Sequence, residues 1–420
     1  MISGLGLVIL VLALLAIRQN LLVILGLATA YATLVWGDGQ ISNIVVDAWD
    51  AANKEILLSI PLYILAGNIM SRGAMATRLI RLMKAISAPV PGGLAIAAIL
   101  SCALFAAVSG SGTVTLIAVG SVMYPALLEA GYSKSFAIGA LCAAGTLGII
   151  VPPSIPLILY GVMTQTSVAD LFIAGIGPSL VLIGLMTGYA LWRNRTIQAQ
   201  GWSLRETWTA LGEGIWALAM PVIILGGIYS GYFTATESAA VAVVYAIVIE
   251  IFVYREMGPG DLYDVVGETT RLLGSLFPVL MLALSLNIFL AYQQVPEMLV
   301  GGLSEVIDSR VGFLIGINLF LLLVGCIMDI GSAILILAPM LQPLAIAQGI
   351  DPVHFGIITV VNLEIGYLTP PLGLNLIVAM TAFRVDFWTV CRAVVPFAIL
   401  MLIGLQIVTF WPGLSLALLR

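Results

Sequence analysis

Residues 105–115 read FAAVSGSGTVT, and residues 323–333 read LVGCIMDIGSA. Each is a polar, glycine-bearing spot in the middle of a long apolar run. The first stretch carries Ser109, Gly110, Ser111, Gly112 and Thr113; the second carries Asp329, Ile330, Gly331 and Ser332. The landmarks C-terminal to the two spots match at a single offset of 218 residues: Pro125 with Pro343, Gly131 with Gly349, Gly148 with Gly366, and Pro152-Pro153 with Pro370-Pro371. The chain therefore contains one element twice. Hydrocarbon cannot satisfy freed backbone groups, so such breaks persist only where protein or a water-filled cavity surrounds them. Paired interruptions in two halves of a membrane protein point to a transport site.

Composition sets the environment. The 420 residues are 61% hydrophobic and 9% charged, where a soluble domain carries about a quarter charged residues. Apolar runs of about 20 residues then read as spans of a bilayer. No Walker motif is present, so ATP hydrolysis is excluded. Cys102, Cys142, Cys326 and Cys391 lie in apolar runs without metal-ligand spacing and read as small packing residues. The apolar start at Met1–Ile17 has no basic residue before it, which reads as a retained helix and not a signal peptide.

The apolar pattern predicts an all-α polytopic membrane protein with helices at 2–17, 21–36, 56–71, 135–165, 171–191, 214–232, 237–254, 272–292, 354–383 and 393–411. Those at 135–165 and 354–383 break at the Pro-Pro pairs, because proline removes a backbone donor and frees carbonyls one turn earlier. Segments 94–125 and 311–345 are too long for one straight span, and each half is short for a full crossing. Two re-entrant helical hairpins fit. Residues 37–55, with Asp38, Asp47, Asp50 and Glu55, read as an outside loop. Residues 192–213, with Trp192, Trp202 and Trp208, read as an interfacial amphipathic helix joining two halves.

The basic residues test this topology. With the N-terminus outside and both hairpins re-entrant, Arg18, Arg72, Arg78, Arg81, Lys84, Lys134, Arg193, Arg195, Arg205, Arg255, Arg271, Arg384 and Arg392 fall inside. Only Lys54, Arg310 and Arg420, of the sixteen Lys and Arg, fall outside. That is the positive-inside distribution. The hairpins then enter from opposite faces, so the repeats are inverted. The expected division is scaffold helices at 1–84, a first transport repeat at 85–170, scaffold and linker at 171–292, a second transport repeat at 293–390, and a last helix at 391–420.

The chemistry available at the interruptions is oxygen-rich. Hydroxyls of Ser109, Ser111 and Thr113, with carbonyls exposed at Gly110 and Gly112, suit a small hard cation. Half-helix N-termini suit an anion. Thr146, Ser154 and Tyr160 flank the first break; Glu364, Thr369, Gly373 and Asn375 flank the second. Asp329, symmetry mate of Ser111, is a lone carboxylate in an apolar run. It reads as cation ligand, protonated acid or helix cap, and a cap can also ligate an ion. Thr234 with Glu237 forms a capping box. His354, the only histidine, reads as a surface residue at a helix start.

These motifs resemble the large membrane subunit of tripartite ATP-independent periplasmic (TRAP) transporters. The likeness lies in Ser109–Thr113 with Thr115–Ala118, Gly148–Ser154, Gly226–Ala240, Asp329 and Tyr367–Gly373. The resemblance implies an elevator-type secondary carrier in a bacterial inner membrane, with Na+ as coupling ion and no other cofactor. It implies a separate small four-helix membrane subunit, a periplasmic binding protein that delivers an organic acid, and no nucleic acid. The cation set it implies is Ser109, Gly110, Ser111, Thr113, Gly145, Thr146, Pro152, Asp329, Gly331, Ser332, Thr369 and Gly373. The substrate set is Ser111, Thr113, Ser154, Asp329, Ser332 and Asn375. A stand-alone carrier without a binding protein, an intramembrane enzyme using Asp329 and Glu364, and a passive channel are the competing readings. One tip carries hydroxyls and the other a carboxylate, so two cation sites of unequal character are expected.

Overall fold

The computed structural model describes residues 19–37, 41–199, 201–295 and 309–419, with isolated positions among 6–17 and 298–301. Half of the helix expected at 2–17, and Arg18, Asp38 and Arg420, lie outside the described residues. Among the described residues there is no strand.

The helices run α1 (Leu21–Trp36), α2 (Ser42–Ala52), α3 (Ser59–Arg72), α4 (Met75–Ser87), α5 (Gly93–Ser109), α6 (Gly112–Glu129), α7 (Lys134–Thr146), α8 (Ile155–Thr164) and α9 (Val168–Arg193). They continue as α10 (Leu204–Tyr229), α11 (Ala235–Val248, with a π turn over Ile249–Val253), α12 (Pro259–Tyr292), α13 (Arg310–Ile327), α14 (Ile330–Ala347), α15 (Pro352–Gly366), α16 (Leu374–Phe383), α17 (Phe387–Phe410) and the short α18 (Gly413–Leu416). Eight described helices are long and apolar enough to cross a membrane, and α3 and α4 form a path bent by 67°.

The repeat relation holds helix by helix. Moved by 218 residues, the span of α5 falls on α13, α6 on α14, α7 on α15, α8 on α16 and α9 on α17, within a few residues at each end. Gly131 and Gly349, equivalent turn residues, both have left-handed backbones at φ +85° and +71°, a conformation glycine adopts at no steric cost. Both Pro-Pro peptide bonds are cis. Helix starts follow side-chain chemistry: Ser133, Ser167, Ser203, Ser309, Asp351 and Asp386 each accept a hydrogen bond from a backbone N–H in the first turn. Such caps satisfy donors the helix itself cannot.

The hairpins turn back at mid-depth of the broken helices. A Cβ placed on Gly148, between α7 and α8, would stand 3.0 Å from the Ser111 carbonyl carbon. The Leu372 N–H, between α15 and α16, donates to the Cys326 carbonyl at 3.2 Å. Each tip therefore faces the unwound middle of its own repeat's broken helix.

Four expectations need correction. Residues 37–55 are not all loop, because Ser42–Ala52 forms α2. Residues 75–87 form α4, whose Leu79, Ile80, Leu82 and Met83 are buried while Arg78, Arg81 and Lys84 follow its other face. No separate interfacial helix fills 192–213: α10 starts at Leu204 and runs straight on, with Trp202 and Trp208 exposed. α12 starts at Pro259 and not near 272. The capping box stands as read, with the Thr234 N–H donating to Glu237 Oε2 at 2.8 Å and the Glu237 N–H to Thr234 Oγ1 at 3.2 Å.

Candidate ion and substrate site

The first tip is a web of hydroxyls. α5 ends at Gly110 in a left-handed conformation (φ +59°), and Ser111 is extended before α6 begins. Ser109 Oγ lies 2.9 Å from Thr115 Oγ1, and the Thr115 hydroxyl donates to the Ser111 carbonyl at 2.8 Å. Ser111 Oγ lies 3.2 Å from Thr113 Oγ1. Ser111 occupies the N-cap of α6 yet makes no side-chain capping bond. The first N–H groups of α6 therefore keep their partial positive charge.

The second tip is built differently at the same position. Asp329, the N-cap of α14, accepts the Ser332 N–H at 2.9 Å and also the Ser332 hydroxyl. The capping reading of Asp329 is observed, and it leaves both carboxylate oxygens beside the helix end. No ion pair forms to Asp329 among the described residues. Ile330 N–H donates to the Tyr367 hydroxyl at 3.1 Å, tying this tip to the second break.

A cavity of about 290 Å³ joins the elements. It is lined by Ser109–Val114 of the first tip, Ile149, Ile155 and Pro156 of the first break, Ile330 and Gly331 of the second tip, and Tyr367 and Leu374 beside the second break. α3 and α12 close it with Ile64, Asn68, Leu272 and Leu276. Asp329 and Ser332 open instead into a neighbouring cavity of about 340 Å³ with Gln19, Met328, Gly373 and Ile377. The two cavities share Leu374. The tips are thus adjacent, but their polar faces look into separate spaces.

The breaks divide the remaining predicted residues. Gly145 presents its carbonyl to the start of α6, 3.2 Å from where a Gly112 Cβ would stand. Pro152 is buried, its Cγ 3.3 Å from a Cβ placed on Gly175 of α9 and away from the cavity. The Ser154 hydroxyl bridges the first break, donating to the Ile149 carbonyl and accepting the Leu157 N–H at 3.4 Å. Thr369 donates to the Ile365 carbonyl at 3.0 Å. Asn375 is buried, with Nδ2 3.4 Å from the Cys142 carbonyl and Oδ1 unpartnered. Ser154, Thr146 and Asn375 line neither tip cavity.

Thr146 has another partner. It lies 3.1 Å from Glu364 Oε1, and these two residues are themselves 218 positions apart. Symmetry mates from the two repeats meet in the middle of the domain, where Glu364 is fully buried with Oε2 unpartnered. His354 is also buried, with Nδ1 3.2 Å from Ser415 Oγ and Nε2 3.3 Å from the Thr409 carbonyl. It is not the surface residue its place at a helix start suggested, because α17 and α18 cover it.

Sequence reasoning missed Thr115, Asn68 and Gly67 as parts of the site. Thr115 carried a signal, standing four residues after Ser111, where a helical hydroxyl reaches back to a carbonyl. Asn68 and Gly67 lie on α3, far from either tip in sequence. A Cβ on Gly67 would stand 2.8 Å from Ser109 Cα, so the glycine lets α3 touch the first tip.

Comparison with known proteins bears on this geometry. The family described as "Tripartite ATP-independent periplasmic transporter, DctM component" matches residues 8–414. The C4-dicarboxylate TRAP transporter large permease protein DctM of Pseudomonas aeruginosa is 41% identical, over 94% of this chain and 93% of that one. The isethionate TRAP transporter permease protein DctMQ of Oleidesulfovibrio alaskensis is 37% identical, over 93% of this chain and 62% of that longer one. Among solved structures, the YdaH transporter of Alcanivorax borkumensis aligns with a TM-score of 0.70 at 15% identity, covering 90% of each chain. That likeness shows the fold alone.

Proposed function

The chain belongs to the DctM family of tripartite ATP-independent periplasmic transporter components, a family of membrane transport proteins and not of enzymes, and we propose that it performs sodium-coupled uptake of an organic acid anion by an elevator mechanism. Its similar relatives are named for a C4-dicarboxylate and for isethionate, both small organic anions. The family description implies a periplasmic binding protein. The fused name DctMQ fits a small membrane partner, here a separate four-helix subunit. The membrane is the bacterial inner membrane, with the N-terminus on the periplasmic side.

The observation that carries the reading is the cavity between the two tips, with an uncapped α6 N-terminus on one side and Asp329 just beyond the other. An uncapped helix N-terminus attracts an anion through N–H groups and dipole. The substrate carboxylate sits there, with Ser111 and Thr113 hydroxyls beside it. One Na+ is held by oxygens of Ser109–Thr113 with the Gly145 carbonyl. The other is held beside Asp329 and Ser332 by the Thr369–Gly373 turn. A lone carboxylate at the bilayer centre costs about 2.5–3.5 kcal/mol on insertion scales, and a bound cation offsets that cost.

The moving body is α5–α8 with α13–α16, sliding against α1–α4 and α9–α12. Gly67 supports this reading, since its bare backbone gives the first tip a contact without an interlocking side chain. Each Na+ moving inward through 100 mV contributes about 2.3 kcal/mol, so two offset the inward movement of a dicarboxylate. The test is uptake by proteoliposomes containing this chain, the small subunit and the binding protein. Accumulation above equilibrium driven by a sodium gradient is expected. Accumulation driven by a pH gradient alone refutes sodium coupling. Full uptake without the binding protein favours the stand-alone carrier.

A further inference from the structure

A second interdomain cavity lies at the opposite end from the Arg-rich face. It measures about 540 Å³ and is lined by the end of α8 (Met163, Thr164, Gln165), the outer half of α12 (Asn287, Ile288), the end of α14 (Gln342, Pro343) and Lys54. Its walls come from both the hairpin elements and the scaffold, so their relative movement must open or close it. Its volume falls in the range of small-molecule sites, about 300–1,000 Å³.

Lys54 is the single charged residue of that lining. It is half-buried, and among the described residues its ammonium forms no ion pair or hydrogen bond. Three of the inner arginines are paired, while Arg193, Arg195, Arg205, Arg271, Arg384 and Arg392 form no ion pair among the described residues. Arg72, Arg78 and Arg81 are matched by Asp264, Glu268, Glu256 and Glu213 at 2.6–3.2 Å. A lysine on the outer face also runs against the topological rule that concentrates basic residues inside. The polar wall groups are largely committed: Gln342 Nε2 donates to Thr166 Oγ1 at 2.7 Å, and Asn287 Nδ2 to the Met163 carbonyl at 3.0 Å. The Lys54 ammonium and the exposed Gln165 amide are the side-chain donors left over, and among the described residues no carboxylate lines the cavity.

We propose that this outer cavity is a receiving site for the organic acid, in which Lys54 binds a substrate carboxylate before the anion reaches the hairpin tips. The proposal rests on the reading of the chain as an organic-acid carrier. Among the described residues neither tip cavity contains a Lys or Arg, so Lys54 is placed to draw an anion into the cleft. A cleft lined by one sign of charge raises the local concentration of the opposite ion and the association rate, and salt weakens both effects. Lys54 thus acts on capture, and the tips on translocation.

The experiment uses the reconstituted three-component transporter, with radiolabelled succinate or the acid that co-purifies with the binding protein. Lys54→Gln is expected to raise KM about tenfold, equivalent to about 1.4 kcal/mol, with the maximal rate little changed. Lys54→Arg keeps a low KM. Raising choline chloride at fixed sodium slows wild-type uptake at low substrate and leaves Lys54→Gln nearly unaffected. In the wild type, the substrate protects Lys54 from an amine-acylating reagent, as read by mass spectrometry. This measurement does not depend on the variant folding. The proposal is overturned by a Lys54→Gln KM within twofold of wild type, by absence of protection, or by protection that requires anionic phospholipid and not substrate. Were the wild type to carry no organic acid, the functional reading itself would fall, a result distinct from all of these.

Discussion

Gly67→Ala tests whether the first tip leaves the scaffold during transport. The new Cβ stands 2.8 Å from Ser109 Cα, 3.0 Å from its carbonyl oxygen and 3.3 Å from its carbonyl carbon. These are backbone atoms at the end of α5, next to the left-handed Gly110, so they cannot yield without moving the tip. Overpacking of this kind costs about 1–3 kcal/mol. The gain from replacing a helical glycine, about 0.5–1 kcal/mol, is smaller. If the tip slides away from α3 in the other half of the cycle, the strain exists in this state alone. The population then shifts about 5–150-fold toward the other state. Spin-label distances between α3 and α6 measure the two populations, and initial uptake rates report the consequence. Gly188→Ala on α9 is the control, since nothing lies within 4 Å of its Cβ. A Gly67→Ala protein with lowered thermal stability but an unchanged distance distribution would refute the sliding contact, because a fixed tip carries the strain in every state.

The site and its supports yield three further outcomes. Asp329→Ala should abolish sodium-driven uptake without preventing membrane insertion. Asp329→Asn keeps the capping ability but loses the charge, so wild-type uptake by that variant would reduce Asp329 to a cap. Truncating Thr146 or Glu364 to alanine leaves its symmetry mate buried without this partner, at about 1–3 kcal/mol each. A double-mutant cycle read by thermal unfolding in detergent should show coupling of about 0.5–3 kcal/mol, and additive losses would mean that the 3.1 Å contact contributes nothing. Glu250, buried at the π turn after α11, accepts the Ala74 and Met75 N–H groups at 3.0 Å each. Glu250→Ala should lower stability by about 1–3 kcal/mol by freeing the start of α4, and an unchanged melting temperature would remove that role.

The repeat was legible in sequence because its punctuation is local chemistry. Glycine, proline and capping residues recur at one offset, and the observed helices fall between them. The amphipathic α4 was less visible: Arg78, Arg81 and Lys84 counted only as inside charges, although the buried Leu79, Ile80, Leu82 and Met83 carry a helical period. The start of α10 was hidden by polar residues that extend a membrane helix past the apolar run. The contact of Thr146 with Glu364 could not be read from local pattern, since it exists only where two repeats meet. Nor could sequence say that Asp329 faces a different cavity from Ser111, or that Gly67 meets Ser109. Those are facts of packing between elements, and no local rule encodes them.

On the proposed mechanism, the duplication explains how one element yields sites of opposite preference. Ser111 and Asp329 are equivalent N-caps, on α6 and α14. Ser111 leaves its helix end unbonded by any side chain, so that end retains about half a positive charge. Asp329 places a carboxyl group on the equivalent end, where it accepts the Ser332 N–H, so a carboxylate there would outweigh the half-positive charge of the helix end. A single side-chain difference thus reverses the sign of two otherwise similar helix ends. A carrier for an anion driven by cations needs both signs within a short distance, yet not in one space where an anion and a carboxylate would repel. Separate cavities at adjacent tips, meeting at Leu374, meet that requirement. On this reasoning, exchanging the two caps as Ser111→Asp with Asp329→Ser should not restore what Asp329→Ser alone removes, because Asn68 and Tyr367 line the first cavity and Gln19 the second. Recovery of sodium-driven uptake by the exchanged protein would show that the tips are interchangeable and that their surroundings do not matter.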